Sequence, residues 1–249
     1  MPLAPLAAID PLYSLVRTPG ASLERAIEAA LGELDRFGVE RAGIGVDDDP
    51  ELARAALASH PTRFFARTEV DPRRGMDELR RLEGLARELG LRAVTASPAR
   101  LRVPVDDRIF FPVFAKCIEL DVAICPSLGV PEERVPFSPQ KVERIDAVAG
   151  FFPELRIVMK DGCEPWQALA VLLMRKYPSL SFASGGPPPS ELPTELIVFA
   201  NEDGAHQVLF ATGCGAGERT FKELPGLGFA RHVWPRFLRE NAARVFGLA

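Results

Sequence analysis

Residues 63–96, RFFARTEVDPRRGMDELRRLEGLARELGLRAVTA, contain the pattern that decides the fold of this chain. The apolar run at 63–70 predicts a buried strand, and the amphipathic stretch at 75–89, which ends before Gly90, predicts a helix. A second buried strand is predicted at 91–96. Alternating apolar strands and amphipathic helices are typical of a parallel sheet that is buried on both faces.

The same alternation continues through the chain. The predicted strands are 6–9, 41–46, 63–70, 91–96, 121–125, 155–159, 180–183 and 207–211. The predicted helices are 22–37, 51–59, 75–89, 106–120, 139–149, 164–176, 192–200 and 233–246. This rhythm predicts one α/β domain over residues 1–249, a single (β/α)8 TIM barrel with an extra C-terminal helix. A doubly wound open sheet ranks lower, because eight strands are found and no glycine-rich phosphate loop follows the first.

The composition limits the kinds of partner that the protein can have. Hydrophobic residues make up 47% of the chain and charged residues 26%, and the net charge of −4 offers no basic surface for nucleic acid. No segment approaches the roughly 18 continuous apolar residues of a membrane span, and the first nine residues lack the charged leader of a secretory signal. We therefore expect a cytoplasmic protein whose four cysteines are free thiols.

Several phrases of the sequence, read in order, point to one family. They are SHPTRF at 59–64, the stretch 101–112, FPELRIVM at 152–159 followed by Gly162 and Pro165-Trp166, VLFATG at 208–213 and ENAARVFGL at 240–248. Together they resemble the amidohydrolase-related family of metal-dependent barrel hydrolases, the group that includes aminocarboxymuconate semialdehyde decarboxylase. The resemblance covers nearly the whole chain. It implies hydrolysis of C–N or C–O bonds, or non-oxidative decarboxylation of small aromatic or unsaturated acids.

The resemblance fails at the positions where the family binds its metal. The family's D-x-H-x-H phrase keeps its aspartate as Asp10, but Leu12 and Ser14 stand where the histidines would be. Four further family phrases or ligands are changed, and they now read TASP at 95–98, Cys125, KDG at 160–162 and ATG at 211–213. A catalytic zinc site needs about three protein ligands, mostly imidazole. We therefore predict a degenerate member without a metal or other cofactor.

The three histidines of the chain cannot replace the lost ligands. His60 and His206 precede predicted strands, which places them at the N-terminal face of the barrel, whereas TIM-barrel active sites form at the opposite face. His232 opens the final helix. No histidine-based metal site is expected.

The residues expected at the carboxyl ends of the strands are the candidates for chemistry. Asp161, at a former ligand position, is a candidate general base if desolvation raises its pKa. Strand alternation would then direct Lys160 toward the helices unless the strand has ended, and an ion pair between the two is the simpler interpretation. Cys125 is a candidate nucleophile whose pKa Lys160 could lower, although no histidine is available as its base. The cysteines at the mouth could also form a site for a soft metal. Their long spacing in the sequence argues against such a site.

A second set of residues is expected to bind substrate at the mouth. It comprises Asp10, Tyr13, Glu69, Ser97, Cys163, Thr212 and Cys214. For Glu69, a salt bridge to Arg67, two residues earlier on the same strand face, is the simpler account.

Three functions remain open on the sequence alone. The first is a metal-independent hydrolase or lyase that acts on a small organic acid in a concave barrel mouth. The second is a non-catalytic barrel that binds a small-molecule ligand or pairs with an active paralogue, with Phe110-Phe111 and Phe151-Phe152 as candidate contact surfaces. The third is a metal-dependent hydrolase with relocated ligands. A homodimer is expected only from the family resemblance.

Overall fold

The computed structural model describes residues 7–186, 188–213 and 218–248. Eight strands follow one another in chain order in one sheet, and each pairs in parallel with the next. The strands are β1 Ala8–Asp10, β2 Val39–Gly45, β3 Phe64–Glu69, β4 Ala93–Ala96, β5 Ala123–Pro126, β6 Ile157–Met159, β7 Leu180–Ala183 and β8 Val208–Leu209. This strand order and the intervening helices confirm the predicted TIM barrel.

Helices follow the strands around the barrel. They are α1 Leu23–Arg36, α2 Pro50–Ser59, α3 Met76–Leu89, α4 Pro98–Leu101, α5 Phe111–Glu119, α6 Arg144–Phe151, α7 Gln167–Lys176, α8 Thr194–Asn201, α9 Glu218–Glu223, α10 Val233–Pro235 and α11 Asn241–Val245. A π-helical turn, Arg236–Glu240, joins the last two, so the predicted C-terminal helix is present with a local irregularity. In the described part of the chain, no helix is both long and apolar enough to cross a membrane.

The start of α2 explains the acidic run at 47–49. Asp49 caps this helix, because its carboxylate accepts a hydrogen bond of 3.1 Å from the backbone N–H of Leu52. Asp47 instead accepts hydrogen bonds from the hydroxyl of Thr68 and from the guanidinium of Arg81. The run therefore begins α2 through Asp49, whereas Asp47 joins the loop to β3 and α3.

The interior of the barrel is filled by alternate side chains of the strands. The buried interior cluster includes Ile9, Phe65, Ala93, Ala123, Cys125, Val158, Ala183 and Leu209, together with Val245, Phe246 and Leu248 from the C-terminal segment. Asn241 donates hydrogen bonds to the carbonyls of Ala205 and Val208, at the beginning of β8. The C-terminal segment therefore covers the N-terminal end of the barrel and leaves the opposite end, the mouth, to the loops that follow the strands.

Side chains connect the two terminal strands of the sheet. Asp10, at the end of β1, accepts hydrogen bonds from the backbone N–H of Thr212 at 3.2 Å and from the Thr212 hydroxyl. A third hydrogen bond comes from the backbone N–H of Leu12 at 3.1 Å. Asp10 thus joins the end of β1 to the chain that follows β8, where the barrel closes.

Candidate functional site

Lys160 lies in the barrel mouth, at the carboxyl end of β6. Because Val158 belongs to the interior cluster and side chains alternate along a strand, Lys160 faces the interior as well. Its ammonium donates hydrogen bonds to Ser127 Oγ at 2.6 Å and to Asp161 Oδ2 at 2.8 Å. The side chain of Lys160 is 16% exposed. The alternation expected from the sequence directed Lys160 toward the helices. In the structure the strand is shifted by one residue relative to that expectation, so Lys160 faces the interior.

Asp161 lies at the rim of the mouth. Its backbone adopts the left-handed conformation, with φ of 67°, so the chain turns away from the strand at this residue. Its side chain is 46% exposed, and its carboxylate forms the ion pair with Lys160 that was the simpler interpretation of the sequence. The pair leaves one carboxylate oxygen and part of the ammonium available to a ligand.

A second cation, Arg67, enters the mouth from β3. It shares a strand face with Phe65 of the interior cluster, and its guanidinium donates to the carbonyl oxygens of Gly43 at 3.2 Å and Tyr13 at 3.1 Å. No salt bridge joins it to Glu69 or to any other carboxylate in the part of the chain that the structure describes, so the salt bridge expected from the sequence is wrong. Both acceptors are neutral, and the charge of Arg67 acts on the carboxylate of Asp10 only at a distance, where it lowers the pKa of that group.

Glu69 lies two residues beyond Arg67 on the same strand face, beside Thr95 of β4 in the sheet register. Its side chain is partly exposed. No hydrogen bond or ion pair to its carboxylate is found within the described ranges. Glu69 therefore brings an unpaired negative charge to the mouth.

Hydroxyl groups complete the polar surface of the mouth. Ser127 follows β5 and is hydrogen-bonded to Lys160, and Ser97 follows β4 and is partly exposed. The hydroxyl of Thr95 donates to the carbonyl of Thr68 at 3.4 Å. From the sequence, Ser127 had no predicted role and Arg67 was expected only as the partner of Glu69. Counting alternate residues from Phe65 and Cys125 would have placed both inside the barrel.

The cysteine candidates are buried neutral thiols. Cys125 is completely buried in the interior cluster, and burial raises its pKa to about 12 although the charges of Lys160 and Arg67 lower it. Burial also raises the pKa of Cys163, which is completely buried in the cluster that packs against the helices. Neither is a thiolate near neutral pH, so neither fits the role of nucleophile. Cys214 lies outside the described residues.

Three predicted substrate-binding residues lie away from the barrel interior. Asp10 is completely buried on the strand face opposite Ile9, where it lines a small cavity with Tyr13, Glu33 and Thr212. The hydroxyl of Tyr13 donates to Glu33 at 2.8 Å. Burial raises the pKa of Asp10, although the hydrogen bonds from Thr212 and Leu12 oppose this effect. These contacts join β1, α1 and the chain after β8. They give Asp10, Tyr13 and Thr212 a structural role.

The donor groups at the mouth do not fit the metal centre that the family resemblance implies. Leu12, at a former histidine position, is buried in the same interior cluster as Cys125. Asp161, at another former histidine position, forms an ion pair with Lys160. Over 7–186, 188–213 and 218–248, no group of three or more His, Cys, Asp or Glu residues is arranged to hold a metal ion. A divalent cation would therefore meet an alkyl group and an ammonium where its ligands are needed.

Comparisons with known proteins agree with this fold. The sequence model of a family described as amidohydrolase matches residues 4–248, whereas no curated protein matches the chain. An uncharacterised TIM-barrel protein from Bordetella bronchiseptica superposes with a TM-score of 0.79 and 19% identity, over 97% of this chain and 98% of that chain. A putative amidohydrolase from Staphylococcus aureus superposes with a TM-score of 0.73 and 13% identity, over 97% of this chain and 100% of that chain. The 5-carboxyvanillate decarboxylase from Sphingomonas paucimobilis superposes with a TM-score of 0.71 and 16% identity, over 98% of this chain and 100% of that chain.

Proposed function

Because this chain belongs to the amidohydrolase family, we propose that it is a metal-independent hydrolase or lyase that acts on a small organic acid at the barrel mouth. The observation that carries the proposal is the position of Lys160, whose ammonium lies in the interior at the mouth and is held there by Ser127 and Asp161. An ammonium at this position offers a fixed positive charge to a carboxylate substrate without requiring a bound ion.

The charges around the mouth support an anionic substrate. Arg67 has no carboxylate partner among the described residues and retains guanidinium N–H groups beyond those donated to Gly43 and Tyr13. Its planar group suits a carboxylate, to which it can donate two parallel hydrogen bonds. One of the structurally similar proteins, 5-carboxyvanillate decarboxylase, is named for a small aromatic acid, which agrees with a substrate of this class.

Two carboxylates are available for proton transfer. Asp161 lies at the exposed rim beside Lys160, and Glu69 lies unpaired on β3 within the described chain. A carboxylate within hydrogen-bond reach of the reacting group can accept or donate its proton, which is the step that a metal-independent hydrolase or lyase requires from its side chains. We assign this role to Asp161, with Lys160 and Ser127 as the groups that bind and orient the substrate carboxylate.

The substitution Asp161→Asn tests this assignment. Asparagine tolerates the left-handed backbone of this position, so the variant should unfold at nearly the wild-type temperature but should not turn over an organic acid that the wild type converts. Glu28→Gln, at an exposed position on α1, serves as the matched control. Assays with and without a chelator, together with metal analysis of protein purified without one, test the metal independence. Turnover by Asp161→Asn at the wild-type rate would remove the catalytic role of Asp161, and stoichiometric zinc or manganese would contradict the metal-free mechanism.

The buried thiols and Leu12 favour a second candidate function. Because Leu12 and Cys125 are buried in an apolar interior cluster and supply no catalytic group, the barrel also suits a protein that binds an organic acid without converting it. Pairing with an active paralogue, or formation of a homodimer, belongs to this proposal. Phe151 is 67% exposed and stacks on Phe111, with ring centroids 5.2 Å apart, whereas Phe110 is completely buried. Saturable binding without turnover across a panel of aromatic and unsaturated acids would favour this second function.

A further inference from the structure

Two arginines near the N-terminal end of the barrel have no partner for their charged groups among the described residues. Arg41 lies on β2, two residues before Gly43, and Arg92 immediately precedes β4. Neither guanidinium forms a hydrogen bond or an ion pair with another described residue. Arg92 lies against the C-terminal segment, since a Cβ atom on Gly247 would be 3.4 Å from Arg92 Nη1. Glu40, next to Arg41 in the chain, is hydrogen-bonded to Arg239 of the same segment.

The Nε atom of Arg41 is the clearest sign of a ligand site on this surface. It is buried and has no hydrogen-bond partner. Buried donors in folded proteins nearly always have a partner, because leaving one unpaired forfeits its hydration without replacement. Among the described residues, no other side-chain nitrogen or oxygen is buried without one. A ligand that accepts hydrogen bonds would satisfy this group.

The charges around Arg41 show which kind of ligand fits. Burial lowers the pKa of Arg41, the charge of Glu40 raises it, and the charges of Arg92 and Arg239 lower it further. Glu40 is hydrogen-bonded to Arg239 Nε at 3.0 Å, so its charge is already paired. The positive charges of Arg41 and Arg92 remain, and they repel each other.

We propose that Arg41 and Arg92 form a binding site for a doubly charged oxyanion, such as a phosphate group, at the N-terminal end of the barrel. Phosphate supplies several acceptor oxygens, which match the fork of N–H groups on each guanidinium. Its two negative charges balance the two positive charges of the arginines. The site lies at the end of the barrel opposite Lys160 and is independent of the function proposed for the mouth.

Thermal unfolding of the full chain in inorganic phosphate tests this site. Because a ligand that binds only the folded state raises the unfolding temperature, phosphate should raise the wild-type value with the logarithm of its concentration once this exceeds the dissociation constant, by about 3 °C at ten times that constant. Sodium chloride at the same ionic strength controls for screening. The variants Arg41→Gln and Arg92→Gln should lose the response to phosphate. Arg25→Gln, at an exposed position on α1, should keep it.

Two further measurements locate the bound anion and test the unpaired donor of Arg41. Lys160→Met should retain the phosphate response, and its loss there would place the anion in the mouth and overturn the proposal. In the absence of phosphate, Arg41→Gln should be at least as stable as the wild type, because it removes a buried unpaired donor and a repelled charge. An equal response to phosphate in the wild type and in both arginine variants would also overturn the proposal, as would no response in the wild type.

Discussion

The two ends of the barrel differ in how their inward-facing positions are used. At the N-terminal end, Phe65 and Phe246 pack together with ring centroids 5.9 Å apart beneath the C-terminal segment. At the mouth, the strands present Arg67 and Lys160, whose hydrogen-bond partners among the described residues include no histidine. One sheet thus carries both a closed apolar end and a polar end. The difference indicates that packing at one end holds the strands while the residues at the other end are free to change their chemistry.

The largest effect is expected from removing the apolar contact at the closed end. Phe246→Ala deletes a completely buried ring from the interior cluster, and large-to-small changes of this kind cost about 3–5 kcal/mol. Unfolding in urea should therefore show a much lower midpoint for this variant. Phe151→Ala, at the 67% exposed position on α6, is the matched control and should cost far less. A similar loss for both variants would contradict the role assigned to the C-terminal segment.

At the mouth, the expected effect is on binding rather than on stability. Lys160→Met removes the ammonium that faces the interior, and the loss of a charge-assisted hydrogen bond worth about 1.5–3 kcal/mol should weaken binding of an organic acid about tenfold to hundredfold. Calorimetric titration measures this change. Lys176→Met, which removes a surface ion pair with Asp146, should leave the affinity unchanged. Equal affinities for wild type and Lys160→Met would exclude Lys160 from the binding site.

At the carboxyl end of β1, outside the interior, Asp10 predicts a dependence of stability on pH. Since its pKa is raised in the folded protein from the ordinary value of 3.8, the folded state holds this proton more tightly than the unfolded state. The stability contributed by Asp10 should therefore fall as pH rises from about 4 through its folded pKa, and should then stay constant. Asp10→Asn should remove this part of the decrease. Unfolding free energies of the two proteins at several pH values test it, and parallel pH profiles would argue against a raised pKa.

The smallest effect is expected from thiol reagents on the folded protein. Cys117 and Cys125 are completely buried and each has a pKa raised to about 12, so neither should be alkylated near pH 8 under native conditions. Both should react after unfolding in urea. Mass spectrometry of the peptides identifies the modified residues one by one. Rapid alkylation of Cys125 in the folded state would return it to consideration as a nucleophile.

The fold was predictable because its signals are local. The alternation of apolar strands with amphipathic helices specified eight units without any knowledge of contacts between them, and α3 between β3 and β4 has nearly the predicted bounds. The short helices α4 and α9 were missed, since a single turn or two carries too few residues for a periodic pattern. The C-terminal helix was expected, but its position over the N-terminal end of the barrel was not.

The candidate site was only partly predictable. The loss of histidines at the family's ligand positions, and the pairing of Lys160 with Asp161, could be read from residues adjacent in the chain. The contacts of Arg67 with Gly43 and Tyr13 could not, because they join residues 24 and 54 positions apart.

The sequence by itself determined the order of strands and helices, the absence of imidazole at the family's ligand positions and the charges available at the strand ends. Only the tertiary structure decided which side of each strand faces the interior. A shift of one residue in the strand exchanges the two faces, and this shift places Lys160 inside and Asp10 outside. The register is set by packing and hydrogen bonds between strands distant in the chain, which local sequence patterns do not specify.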